Sequence, residues 1–174
     1  MSRLFVLLCT LALSLALTAC QSPDDELDAP KKVAAAKVTP VAPKGQDDKE
    51  WKMYLQSVVA QHMDGVTERV FAYYLPANST SPTPGDPDNR SQYDRQLENV
   101  STVISRTVLP GNMLVFGSPD SAKLADLVLQ SLVAAEPDAL KGSQVLFIGQ
   151  PGDSARVQPA VEAVGAKYIF VEAK

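Results

Sequence analysis

Helical and strand segments alternate along residues 47–174, and this alternation predicts an α/β domain with three layers, α/β/α. The sheet is expected to be small, four-stranded and mostly parallel, with right-handed crossovers. Two further observations point the same way. The strand-like runs are short and apolar without alternation, as befits a sheet covered on both faces. Two of them end in a glycine and a proline turn that opens a helix, the connection a βα unit needs.

Asp47 or Asp48 caps the first expected helix, whose apolar positions Trp51, Leu55, Val58, Val59 and Met63 recur at helical spacing until Gly65 stops it. Residues 70–75, rich in aromatic side chains, form a strand. A second helix carries Tyr93, Leu97, Val100 and Ile104 on one face and ends before Leu109-Pro110-Gly111. There follow a strand at 113–116, a helix at about 119–135, a strand at 145–148, a helical stretch at about 153–164 and a strand at 168–171. Pro159 removes a helix hydrogen bond, so the last helix either kinks there or starts near Gln158.

Gly117-Ser118-Pro119-Asp120-Ser121-Ala122 can be set against Gly149-Gln150-Pro151-Gly152-Asp153-Ser154-Ala155. Duplication would explain the likeness. Shared turn chemistry explains it more simply, since any βα turn favours glycine at the strand end and Asp, Ser and Pro at the helix start. The architecture is similar to one half of a Rossmann-like or flavodoxin-like fold.

Upstream, Arg3 precedes an uncharged apolar run over residues 4–17, which leads through small residues to Cys20. That is the build of a secretory signal, and the run is shorter than the roughly 20 apolar residues of a membrane span. Leu17-Thr18-Ala19-Cys20 resembles the lipobox of bacterial lipoproteins. The resemblance covers residues 1–21. It implies removal of residues 1–19, lipidation of Cys20 through a thioether, and acylation of the new N-terminus. Each buried CH₂ contributes about 0.8 kcal/mol, so two or three acyl chains anchor stably. In the Gram-negative family an aspartate after the cysteine favours the inner membrane. Gln21 stands there, which implies the periplasmic leaflet of the outer membrane.

Residues 20–46 are expected to form a lipidated, unstructured tether. They are rich in Pro, Ala, Lys and Asp and lack aromatic residues, so little apolar surface is available to offset ordering entropy. A flexible chain of this length spans about 30 Å. Residues 47–174 suffice for one domain with its own core. The two cysteines are Cys9, in the leader, and Cys20, so the domain has no thiol for a disulfide, a zinc ribbon or a nucleophile. The net charge is −4, and −5 once Arg3 leaves with the leader. With no basic tract, nucleic acid is not an expected partner.

In an open α/β sheet, ligands bind outside the carboxyl ends of the strands. The expected rim there is Ser118, Asp120, Ser121, Asp153, Ser154 and Arg156, with the polar loop 76–92 beside it as either an unstructured stretch or a lid. No cofactor or metal site is expected. Asp120 and Asp153 at the helix starts repel phosphate, and no glycine-rich phosphate loop follows a strand. Asp86, Asp88 and Asn89 lack the ligand spacing of a calcium loop. The serines need a base. His62, the only histidine, lies beside the apolar stripe of the first helix as a boundary residue, and Lys123 follows Ser121 too closely to face it well. Trp51, Tyr54, Tyr73, Tyr74 and Tyr93 are expected in the core rather than on a binding surface.

No complete catalytic set emerges. The favoured expectation is a non-enzymatic envelope lipoprotein, bound to the bilayer through Cys20, whose domain binds an envelope protein or a toxin. The alternative is a small-molecule-binding or hydrolytic domain working at the sheet's carboxyl edge.

Overall fold

The computed structural model describes residues 39–106 and 108–174. The expected leader, Cys20 and the expected tether as far as residue 38 lie outside the described residues. The described elements are α1 (Asp48–Gln61), β1 (Val70–Tyr74), α2 (Gln92–Ser105), β2 (Met113–Gly117), α3 (Ser121–Leu132), β3 (Gln144–Gly149), α4 (Pro151–Ala163) and β4 (Lys167–Glu172). The four strands form one sheet in the order β1-β2-β3-β4. Every neighbouring pair is parallel.

The layers follow from which side chains each strand turns to which face. Leu114, Phe116, Val145 and Phe147 pack with α2, α3 and α4 on one face. Met113, Val115, Leu146 and Ile148 pack on the other with Trp51, Tyr54, Leu55 and Val58 of α1. The domain is therefore α/β/α, with three helices on one side and one on the other. β2 and β3 are buried along their whole length, while β1 and β4, at the sheet edges, are mostly half-exposed. Complete burial of side chains such as Phe116 and Phe147 contributes roughly 1.5–3 kcal/mol each. The strand order runs straight through without the reversal of a flavodoxin-like sheet, so it creates no switch-point crevice.

Asp47 caps α1, its Oδ1 accepting from the Glu50 N–H at 2.9 Å. The expected stripe is correct at Trp51, Leu55 and Val58, but Met63 lies beyond the helix end and is exposed. His62 closes α1, its Nδ1 2.8 Å from the Val58 carbonyl. Ser91 caps α2 in a reciprocal capping box with Asp94. These hydrogen bonds hold the Asp94 carboxyl below the usual carboxylate range.

The loop between β1 and α2 is ordered by polar contacts. Ser79 is buried and its carbonyl accepts from Tyr93 N–H at 2.9 Å, while Pro82 bridges to Ser91. Asp86 accepts from the Arg90 and Asp88 N–H groups and from the Arg95 guanidinium. The Arg90 hydrogen bond, ahead of the others, keeps the Asp86 carboxyl well below its ordinary range. Arg95 also donates to Thr83 Oγ1 at 2.8 Å. The Asp86-Pro87-Asp88-Asn89 turn thus uses its acid to fold the loop onto α2.

α4 starts at Pro151, in the first helical position after Gln150, earlier than either expected start. Pro159 lies inside the helix on its exposed side, where water can satisfy the carbonyl it leaves unpaired.

The last residues of the expected tether belong to the fold. Ala42 is buried and its N–H donates to the Lys174 carbonyl at 2.9 Å. Trp51 Nε1 donates to the Gly45 carbonyl at 2.8 Å. A buried indole N–H needs an acceptor, and the chain before α1 supplies it.

Candidate functional site

The carboxyl ends of β2 and β3 turn into the starts of α3 and α4. Residues 42–46 and Trp51 close the same region from the α1 side, leaving a trough of about 650 Å³. Ser118, Asp120, Ser121 and Asp153 line it together, as the sequence predicts. Ser154 and Arg156 do not.

Gly117 and Gly149 are required here for close approach. A Cβ on Gly117 would lie 2.2 Å from Leu55 Cδ1, and one on Gly149 would lie 2.5 Å from Ser121 Oγ and 2.7 Å from the Phe147 ring. Small size lets α1 and α3 pack directly onto the strand ends.

The serine and aspartate side chains that line the trough are engaged by the fold itself. Ser118 Oγ accepts from the Asp120 N–H at 3.0 Å. Asp120 caps α3 by accepting from Lys123 N–H at 3.1 Å, and its other oxygen lies 3.2 Å from Lys123 Nζ. Ser121 Oγ accepts from the Gln150 N–H at 2.8 Å, tying the α3 start to the α4 start. Gln150 Nε2 donates to the Ala173 carbonyl at 3.1 Å, adding the end of β4. Asp153 lies 3.4 Å from Arg156, which also pairs with Asp126 of α3. That pairing with Asp126 raises the Arg156 guanidinium further above its ordinary range.

The two similar turns are not equivalent. Asp120 precedes α3 as its cap, whereas Asp153 lies inside the first turn of α4. The next residue, Ser154, is buried, its Oγ 2.9 Å from the Tyr168 hydroxyl on β4. Burial raises the Tyr168 phenol above its ordinary range. The likeness of the two segments is that of turns with the same ingredients and a different helix start.

Among the described residues no side-chain base is hydrogen-bonded to Ser118 or Ser121. α1 begins at the carboxyl edge, where Asp48 accepts from the Tyr74 hydroxyl. It ends at the amino edge, where the Asp64 carbonyl accepts from Gln144 Nε2. Fourteen residues of helix span about 21 Å, so His62 is at the opposite end of the sheet from Ser118 and Ser121. Lys123 is held by Asp120 and points its Nζ towards the Ala77 carbonyl, 3.5 Å away. Among the described residues no three His, Cys, Asp or Glu side chains converge to hold a metal ion. Of the aromatic side chains, Trp51, Tyr54 and Tyr73 are in the core, the last stacked on Phe116 at 5.2 Å, while Tyr74 and Tyr93 are half-buried.

Sequence reasoning missed residues 42–46 as a wall of the trough. The one signal for them was Trp51, which requires a nearby acceptor. No family model matches the chain, and no curated protein or solved structure matches it either.

Proposed function

We propose that this chain is a lipid-anchored envelope protein whose α/β domain binds another protein and performs no chemistry of its own. One observation carries the reading: at the sheet's carboxyl edge, Ser118, Asp120 and Ser121 each accept a backbone N–H of the same turns. A nucleophilic serine needs a base within hydrogen-bond reach, and these serines bond to amides instead. The anchor rests on the lipobox-like residues 17–20, with Gln21 favouring the outer membrane's periplasmic leaflet. No helix among the described residues is long and apolar enough to cross a membrane. In this reading the acyl chains on Cys20 provide the attachment.

Mass spectrometry of the native protein should find diacylglycerol and an acyl chain on Cys20, and Cys20→Ser should yield an unlipidated protein with the leader uncut. Photo-crosslinkers placed across the surface of the full chain in cells should capture a protein from at least one face. An unmodified Cys20 overturns the anchor, and no crosslink from any face overturns the binding role. A second reading, a small molecule seated in the trough, is favoured by its volume, which lies within the ligand-pocket range. A metabolite and glycan panel that leaves the melting temperature unchanged ends that reading.

A further inference from the structure

β1 and β4 are the two edges of the sheet, and they differ in how they end. Just past β4 the Lys174 carbonyl is already taken by Ala42, which Pro43 follows directly and Pro40 precedes by two residues. Proline has no N–H with which to extend a ladder. Among the described residues β1 has no such closure. The Arg69 carbonyl accepts from Met113, and Leu75 N–H donates to Gly117. Backbone groups alternate sides along a strand, so Phe71 and Tyr73 also bond towards β2. Val70, Ala72 and Tyr74 therefore direct their N–H and C=O groups away from the sheet.

Val70–Tyr74 contains no charge, proline or glycine, the usual means of blunting an edge. Ala72 is exposed. Beside this strand, two cavities open between β1 and α2. One, of about 360 Å³, is lined by Phe71, Val103, Val108 and Leu109, with Glu68 and Arg69 at its amino end. Leu109 at its rim is 67% exposed. The other, of about 250 Å³, lies towards Tyr74 and is lined by Gln92, Arg95, Gln96 and Asn99. Gln92, Gln96, Asn99 and Val103 are spaced four, three and four residues apart, so one side of α2 borders both cavities.

Building on the protein-binding reading, we infer that the seam between β1 and α2 receives an extended segment of a partner protein as a fifth strand. Such a segment satisfies the outward groups of Val70, Ala72 and Tyr74 with main-chain hydrogen bonds. Strand addition of this kind draws its affinity from the backbone and its specificity from pockets for alternate side chains. The apolar cavity takes one large apolar side chain, and the amide stripe of α2 borders the rest of the segment. β1 and that stripe are uncharged, and Arg95 beside them is already paired with Asp86, so the matching stretch of the partner is neutral.

The test selects a random peptide library against the full chain in detergent. Enriched peptides should share one large apolar residue in a neutral stretch and should slow hydrogen exchange at Val70, Ala72 and Tyr74. Ala72→Pro, which removes an N–H that β2 does not use, should weaken binding at least tenfold. Leu109→Asp, at an exposed position, should do the same, and Ser121→Ala should not. The inference is overturned if no peptide is enriched, or if bound peptides leave those three amides unchanged. A dimer in light scattering that Ala72→Pro dissociates would assign the edge to a second copy and equally overturn it. Cellular crosslinks confined to other faces would sink this seam while leaving the protein-binding reading intact. Their absence from every face would remove that reading too.

Discussion

Replacing Phe147 with alanine is expected to lower the unfolding free energy by about 3–5 kcal/mol, enough to leave a marginal domain partly unfolded. Phe147 is fully buried in the core between the sheet and the three-helix layer. Its ring would also lie within 3 Å of any Cβ placed at Gly149, so it underpins the strand end from which α4 departs. Truncation removes its buried apolar area and leaves a cavity beneath the α3 and α4 starts. The surrounding strands are held by the parallel ladders to β2 and β4 and have little room to collapse into it. Equilibrium unfolding in urea measures the loss. A change below about 1 kcal/mol would mean that the core is not packed around this ring.

Pro159→Ala should act in the opposite direction, stabilising the domain by up to about 3 kcal/mol. The residue lies in the interior of α4, where proline deletes one hydrogen bond and presses its ring on the preceding turn. Its side of the helix is exposed, whereas Ser154, Val157 and Val161 turn inward, so alanine restores the bond without disturbing packing. Urea unfolding again gives the number. An unchanged or lower midpoint would show that α4 is already distorted around Pro159 in a way that alanine does not relieve.

Much of the fold was legible because it is local. The apolar runs that became β2 and β3 are buried on both faces and carry no period-two pattern. Trp51, Leu55 and Val58 announced α1, and Asp47 or Asp48 its start, of which Asp47 is the cap. The carboxyl-edge rim was legible in part for the same reason, since Ser118, Asp120 and Ser121 belong to one βα turn. What escaped depends on contacts between residues far apart in sequence. Ala42 meets Lys174, and composition alone places Ala42 in a tether. Ser154 turns to Tyr168 because α4 begins two residues before Asp153, at a proline whose position fits either a turn or a first helical residue. The open edge of β1 follows from strand order, which no local pattern encodes. The ordered loop before α2 lacks large apolar residues and is held by Asp86 and Arg95, an interaction spanning nine residues with no periodic signature.

The account turns on the polar groups at the strand ends being structural, and Ser121→Ala tests this most directly. Stability and partner capture would be measured on the same full-length protein. Loss of the bond to Gln150 N–H should cost about 1 kcal/mol of unfolding free energy while crosslinking to the partner continues at the parent level. Unchanged stability together with abolished capture, or with loss of a measurable turnover, would contradict the account and return the serine to a functional role.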